Sequence, residues 1–310
     1  MMETTTAVAR RMWTLFEPVH GVTYFAPEAR GAFEDAGLRG FWRGYFAGRA
    51  APLGAVTAAP VTASFYNFAP PMVSRALPAV WQLISPQRAL DVRRAGAVAA
   101  LSRVLGDLDH TVPVAADLLA VAAADLDCAG RVLAAANGAM AMPDEPVARL
   151  WQAATTLREH RGDGHFAALL AADIDGCEAL VLRAGLDVPR EQLQPLRGWS
   201  DQEWDDATRR LADRGWIDPG GWATPAGTAV RLEIEQRTDA AAARPWSRLG
   251  SAFAAELAGA LAPIALACAA ELPYPNPVGA PDPARAMPDM NAADDDAADG
   301  DAADRAAGPA

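Results

Sequence analysis

The chain has 310 residues, of which 51% are hydrophobic, so it is long enough to bury a sizeable core and to form two domains. Its net charge of −12 makes electrostatic binding of a polyanion unfavourable. All 27 basic residues are Arg, which excludes lysine-dependent chemistry such as a Schiff base or a P-loop.

Composition also predicts the fold class and the location. Abundant Ala and few strand-forming residues predict a mostly α protein with two helical halves, 1–139 and 140–274. We expect the acidic, Pro- and Ala-rich segment 275–310 to be a disordered tail. Three widely spaced cysteines and an N-terminus without an apolar signal core predict a cytoplasmic protein. Glu256 interrupts the apolar run 252–270, which predicts a packed helix and no membrane span.

Helical periodicity and capping residues divide the N-terminal half into several helices. The predicted helices are 4–20, 27–37, 86–105, 113–136 and two short ones beginning near Pro60 and Pro71. Aromatic residues within 41–46 recur at helical spacing, which predicts that they pack in the core.

The C-terminal half is predicted to contain further helices with glycine breaks between them. We expect a helix over 145–160 that Gly162 and Gly164 break, after which Asp163 caps the next helix. Residues 189–196 are predicted to be a connection. Later helices are predicted over 225–237, with Thr224 as N-cap and Pro225 at the first helical position, and from Pro245, with a kink at Pro263.

The stretch 198–231 has the order of a winged helix-turn-helix: an amphipathic helix, a strand, a glycine turn, a second strand and a new helix. The second helix of such a unit usually enters the major groove of DNA. In this chain that helix is the amphipathic one before the wing, and its first turns carry the acidic residues Asp201, Glu203, Asp205 and Asp206. Candidate DNA contacts come only at or beyond its end, at Arg209, Arg210 and Arg214. The sequence therefore predicts a winged helix with a short two-stranded wing, and disfavours DNA as its partner.

Several strings resemble a known family: YFAPEARGAF, GRAAPLG, HRGDGHFAAL, RGWSDQEW and TDAAAARPW. They are similar to the SalK-like helix-turn-helix family of actinobacteria over about residues 5–277. The resemblance implies a helical fold with a winged helix like that of MarR-type regulators. The family label is linked to a proposed stereoselective ketoreductase, and the resemblance supplies no catalytic residues.

Polar residues near predicted helix ends and proline-bounded segments are candidates for a small-molecule pocket. The ligand-binding candidates are Glu17, His20, Tyr24, Tyr66, Asn67, His160, Arg161, Asp163 and His165. Arg49 is a further polar group that could line the same pocket. Among the candidates, His20 and His165 could act as acid–base groups if the two halves meet. The chain lacks G-x-G-x-x-G, so no dinucleotide is expected, and no cofactor or metal is predicted.

A short internal echo relates the two halves: Trp13, Gly21 and Phe25 recur as Trp151, Gly162 and Phe166, each followed by helices that end in Ala-Gly-Leu. A dimer or an internal pseudo-dimer is therefore possible. The favoured function is a cytoplasmic protein that binds a small molecule or a protein partner through a winged-helix scaffold, without a membrane. Two alternatives stay open. One is a MarR-like transcription regulator, and the other is a cofactor-independent or metal-dependent enzyme of secondary metabolism that uses a histidine pair.

Overall fold

Helices make up most of the chain in a computed structural model, which describes residues 3–108 and 110–286. The first eight helices are α1 (Thr5–Phe25), α2 (Pro27–Asp35), α3 (Phe41–Ala50), α4 (Ala58–Phe65), α5 (Pro70–Ser74), α6 (Pro86–Val104), α7 (Val112–Ala123) and α8 (Val132–Gly138). The remaining eight are α9 (Pro146–Ala171), α10 (Gly176–Ala184), α11 (Arg190–Arg197), α12 (Asp201–Asp213), α13 (Pro225–Ala242), α14 (Arg244–Leu249), α15 (Ser251–Ala269) and α16 (Pro283–Ala286). The predicted mostly α fold class is confirmed.

Local capping signals position several of these helices as predicted. The Thr4 hydroxyl accepts the amide of Ala7 at the start of α1. Thr224 likewise caps α13, where its hydroxyl accepts the amide of Gly227 at 3.1 Å and Pro225 takes the first helical position. Such caps replace hydrogen bonds that the first turn of a helix cannot make within itself. Helix α1 nevertheless continues past the predicted end at His20 to Phe25.

Helix α9 is continuous through the two glycines that were predicted to break it. A Cβ atom on Gly164 would lie 2.6 Å from Nη1 of Arg131 and 3.2 Å from Cβ of Ala241. Gly164 therefore permits close packing of α9, and the loss of helix propensity is offset by contacts that a side chain would prevent. Asp163 lies in the middle of this helix and does not cap a new one.

Several other predicted boundaries differ from the structure. The long helix expected from Pro245 is divided at Gly250, where φ is 85°, into α14 and α15. The helix expected over 113–136 is interrupted between α7 and α8, where Asp125 and Gly130 both have positive φ. The expected connection 189–196 lies mostly in helix α11. Gly198 ends this helix in the left-handed conformation, with φ at 76°. The expectation of a disordered tail from residue 275 is wrong for 275–286, where Asn276 is buried and hydrogen-bonded to Ala280. Residues 287–310 lie outside the described residues.

The wing consists of a single antiparallel bridge between Ile217 and Ala223, and the described part of the chain contains no strand. Only Ile217 and Ala223 pair on the two sides of the turn, and the turn itself is closed by hydrogen bonds among its own residues. The Asp218 carboxylate accepts the amides of Gly220 and Trp222, which closes the turn within five residues. A two-stranded wing is therefore not confirmed.

The main core packs α1, α6, α7 and α9 against α13, α14 and α15, and so takes side chains from both sides of residue 140. A second core surrounds Phe46 and Phe65, in which three of the four aromatic residues of α3 pack as predicted, whereas Phe41 is not part of it. A third core joins α10, α11 and α12 to the end of α9 and to α13. Helix α15 is long and apolar enough to cross a membrane, yet it packs along α1 and α7 as a core helix.

Candidate functional site

A cavity of about 150 Å³ lies where the helical bundle meets α10, α11 and α12. These three helices and the turns next to them are called the helix-turn-helix segment. We call the cavity the central cavity. Apolar side chains form part of its wall, with Phe65 and Phe68 on one side and Phe166, Leu180 and Ile234 contributed by α9, α10 and α13. The remaining wall is charged. Six arginines and two glutamates line it: Arg49, Arg158, Arg161, Arg183, Arg197, Arg231, Glu17 and Glu235.

One buried ion-pair network closes the cavity on the side of α1 and α3. Arg49 of α3 binds Glu159 of α9 through two hydrogen bonds, Nε to Oε1 at 2.9 Å and Nη2 to Oε2 at 3.0 Å. Arg158 donates to the same carboxylate at 3.0 Å and to Glu17 at 3.4 Å. Burial by itself would raise the pKa of Glu159, but the charges of Arg49 and Arg158 outweigh it and hold that pKa well below its usual range.

A second network lies on the α13 side. Arg161 of α9 donates to Asp239 at 2.8 Å and to Glu235 at 3.0 Å, and its guanidinium lies 4.1 Å from the ring centre of Trp13. Burial would raise the pKa of Glu235, but nearby cations, led by Arg231, lower it to about 2. Glu235 is therefore ionised at neutral pH.

Arg197, at the end of α11, differs from the other arginines of the cavity. It is 92% buried, and no carboxylate oxygen of the described residues lies within 4.0 Å of its guanidinium nitrogens. Its Nη2 donates to the carbonyl of Pro277 at 2.7 Å and its Nη1 to that of Leu196 at 3.2 Å, while the ring centre of Phe68 lies 4.8 Å away. Burial lowers the pKa of Arg197 to about 10.

A smaller cavity of about 30 Å³ lies between α1, α2, α3 and α6, and holds His20 and Tyr24. The His20 ring bonds to the Thr155 hydroxyl through Nδ1 at 2.9 Å and to the Tyr24 hydroxyl through Nε2 at 3.0 Å. Burial, followed by the charge of Arg158, lowers the pKa of His20 well below its ordinary value. His20 is therefore neutral at physiological pH, with both ring nitrogens occupied.

The structure divides the predicted ligand-binding residues among several places. The residues that line the central cavity are Glu17, Asn67, Arg161 and His165, together with Arg49. His20 and Tyr24 line the smaller cavity, so the two histidines proposed as an acid–base pair lie in different cavities.

The other three candidates have structural partners. The Tyr66 ring stacks on Phe166 at 5.1 Å, and its hydroxyl donates to the carbonyl of Ile174. Asp163 is buried and accepts the amide of Ala134 at 2.9 Å. His160 lies beside Asp127 at a separate surface pocket. None of these three lines the central cavity.

Sequence reasoning did not identify Arg158 or Arg197 as site residues. The spacing of Arg158, Arg161 and His165 along α9 places them on one helix face, which was hidden by the expected break at Gly162. Arg197 carried no such signal, because it lies between the predicted connection 189–196 and the predicted winged segment 198–231.

The three arginines proposed as DNA contacts are bound to acidic groups of the helix-turn-helix segment. Arg209 pairs with Asp206, and Arg210 pairs with Glu178 at 2.7 Å and with Asp175 at 2.6 Å. Arg214 donates to the backbone carbonyl of Asp173 at 2.6 Å. These partners reduce the positive charge that the segment can offer to phosphates.

The acidic start of α12 also has a local explanation. Glu203 completes a capping box with Ser200, in which each side chain bonds the backbone amide of the other. Arg190 of α11 pairs with Asp201 at 2.8 Å and with Asp205 at 2.7 Å. The carboxylates therefore cap α12 and tie it to α11. In the described residues, no three His, Cys, Asp or Glu side chains are arranged to hold a metal ion.

Comparison with known proteins gives one positive finding. Neither a curated protein nor a solved structure matches the chain. A family model described as a helix-turn-helix family matches residues 9–275, which is most of the chain. That span includes the three-helix unit of α10, α11 and α12 and the whole bundle around it. The chain therefore belongs to this helix-turn-helix family.

Proposed function

We propose that the protein binds a small molecule in the central cavity, and that its helix-turn-helix segment is a scaffold whose direct binding to DNA is weak or lost. The finer family assignments, SalK-like and MarR-like, belong to this proposal, as does a cytoplasmic location. They rest on the quoted sequence strings and on composition.

The observation that carries the proposal is the position of the cavity. It receives Arg161 and His165 from the bundle helix α9 and Arg197 from the first helix of the helix-turn-helix pair. Ligand pockets commonly occur where helices or domains meet, with apolar walls and a few convergent polar groups. A molecule in this cavity would contact both parts of the protein at once.

The charge of the helix-turn-helix segment supports weak DNA binding. Non-specific affinity for DNA comes mainly from arginine and lysine side chains that neutralise phosphates. In this segment Arg209, Arg210 and Arg214 have acidic or carbonyl partners, and Asp201 and Asp205 are exposed on the face of α12. A phosphate would have to displace these pairs and approach two carboxylates.

A cavity-filling variant tests the ligand-binding part. A chemically diverse fragment set is screened for compounds that raise the melting temperature of the wild-type protein. Ala179 lines the central cavity from α10, so Ala179→Phe should abolish the stabilisation by these compounds. Ala167→Phe, on the exposed face of α9, is the matched control and should keep it. No stabilising compound, or equal responses from both variants, would contradict ligand binding in this cavity.

A MarR-like regulator remains a second candidate, because the family match itself favours it. Fluorescence anisotropy with a pool of random duplexes separates the two. We expect a dissociation constant weaker than about 10⁻⁴ M at physiological salt, at the weak limit of non-specific binding. Tight, salt-sensitive retention of one defined duplex would favour the regulator. A second measurement with Arg209→Met shows whether that helix provides the contact.

A further inference from the structure

All but one of the arginines that line the central cavity have a carboxylate partner. Five of the six arginines that line it form an ion pair with a carboxylate of the described residues. Glu159 and Glu17 neutralise Arg49 and Arg158 on one side. Arg197 alone has only backbone carbonyls and an aromatic ring as partners. A buried cation without an anion is unfavourable, because burial removes its hydration without a compensating charge.

The surroundings of Arg197 hold the guanidinium in place while keeping it on the cavity wall. Carbonyls of Leu196 and Pro277 accept from its two terminal nitrogens, and Phe68 lies against the guanidinium. The α11 backbone is fixed as well, since the carbonyl of Arg197 accepts the amide of Ala69 at 2.9 Å. A positioned guanidinium of this kind suits a planar, bidentate anion such as a carboxylate.

Asn67 is a second residue of the cavity with a polar atom that lacks a hydrogen-bond partner. The side-chain oxygen of Asn67 is buried and has no hydrogen-bond partner, although Asn67 lines the central cavity. Its backbone carbonyl accepts from the indole of Trp199 at 2.9 Å, which holds the residue in place. Buried polar atoms are nearly always satisfied, so the polar groups around the cavity are incompletely paired at Asn67 as well as at Arg197.

We propose that the central cavity takes an apolar monocarboxylic acid, whose carboxylate pairs with Arg197 and whose body lies against the aromatic wall. This inference rests on the proposed ligand-binding function and specifies its chemistry. The size of the cavity limits the body, because an engineered apolar cavity of about 150 Å³ holds benzene. The acid therefore has about one six-membered ring.

The pairing of the arginines that line the cavity favours a monoanion over other charged ligands. A phosphate dianion would bring a second charge for which the described residues offer no further unpaired cation at the cavity wall. A cationic ligand would add to the charge of Arg197 instead of neutralising it. A neutral ligand of the same shape would leave Arg197 as it is, and so would gain only the apolar contacts.

The test compares three acids with their primary amides, which have nearly the same shape without the charge. Benzoate, phenylacetate and cyclohexanecarboxylate are titrated against the full-length protein, followed by benzamide, phenylacetamide and cyclohexanecarboxamide. A ligand that binds only the folded state raises the melting temperature with its concentration. At least one acid should bind about 30-fold or more tightly than its amide.

Two variants then test the role of Arg197. Arg197→Met removes the charge, and Arg197→Gln removes it while keeping a donor for the Pro277 carbonyl. Either variant that folds should bind the acid about 30-fold or more weakly than the wild type and bring its affinity to that of the amide. Arg209→Met, at an exposed arginine of α12, is the control and should leave acid binding unchanged.

The outcomes separate this inference from the function on which it rests. Acid binding that survives in both Arg197 variants overturns the assignment of Arg197. Amides that bind as tightly as acids overturn the charge requirement, while the ligand-binding function stands. If none of the six compounds binds but other fragments stabilise the protein in a way that Ala179→Phe abolishes, the monocarboxylate is wrong and the cavity is still a ligand site.

Discussion

Replacing Glu159 by Gln should destabilise the fold strongly, because it removes the central anion of a buried network. Glu159 is 99% buried and receives three hydrogen bonds, two from Arg49 and one from Arg158. Glutamine keeps the shape but not the charge, so Arg158 would keep Glu17 as a carboxylate partner and Arg49 would have none. Breaking a buried pair by removing one partner typically costs about 3–5 kcal/mol.

That loss is large beside the total stability of a typical domain, about 5–15 kcal/mol. We therefore expect Glu159→Gln to lower the urea midpoint substantially, measured by circular dichroism at neutral pH. The matched control is Glu34→Gln, which removes an exposed pair with Arg30 on the surface of α2. That pair is worth less than about 0.5 kcal/mol, so the control should unfold almost like the wild type.

The acid limb of the stability curve gives a second readout. Arg49 and Arg158 hold the pKa of Glu159 below its usual range. The unfolded chain therefore takes up a proton on Glu159 at a higher pH than the folded chain does. The stabilisation is present above the unfolded pKa and is lost as pH falls through the folded value. Glu159→Gln should remove this part of the pH dependence. A loss below about 1 kcal/mol, with an unchanged acid limb, would refute the proposed energetic role of the network.

Two further predictions concern pH and helix α9. Burial lowers the pKa of two histidines to about 4, namely His160 and His165. The unfolded chain binds more protons than the folded chain between about pH 4 and 6.5. The free energy of unfolding should therefore decrease as pH is lowered across that window. Burial raises the pKa of Asp163 to about 6, and this one group has the opposite effect on stability. A urea midpoint that increases when pH is lowered from 6.5 to 5 would contradict the prediction. Gly162→Ala should stabilise α9 by about 0.5–1 kcal/mol, since its Cβ meets only ordinary contact at 3.8 Å. Gly164→Ala should destabilise it by about 1–2 kcal/mol, because it displaces Arg131 from two backbone carbonyls; equal midpoints for the two variants would refute the packing role of Gly164.

Local signals made part of the fold predictable. A capping hydroxyl or a proline at the first turn specifies a helix start within a few residues, and Thr224 with Pro225 is an example. Glycine is a weaker signal, because the same residue serves to end a helix and to let one pack closely. Gly198 ends α11 with a positive φ, whereas Gly164 lies in the middle of α9. Only the tertiary neighbours of a glycine distinguish these two roles.

The candidate site was predictable only in part, for a related reason. Residue type indicated Glu17, Asn67 and Arg161 as polar groups in apolar surroundings, and all three line the central cavity. The ion pairs could not be predicted from the sequence, since partners such as Arg49 and Glu159 are 110 residues apart. Whether an arginine is neutralised depends on such distant partners, so the sequence could not show that Arg197 differs from its neighbours.

The distribution of arginines connects the two halves of the proposed function. The chain is acidic overall, with a net charge of −12, yet the central cavity is lined by six arginines. Guanidinium groups form bidentate pairs and lose hydration more readily than ammonium groups, so they suit buried networks. Arginines placed at the centre cannot contact phosphates on the outside, and those that remain on α12 are bound to carboxylates. The same placement that provides the cations of the proposed anion site therefore leaves carboxylates prominent on the helix-turn-helix surface.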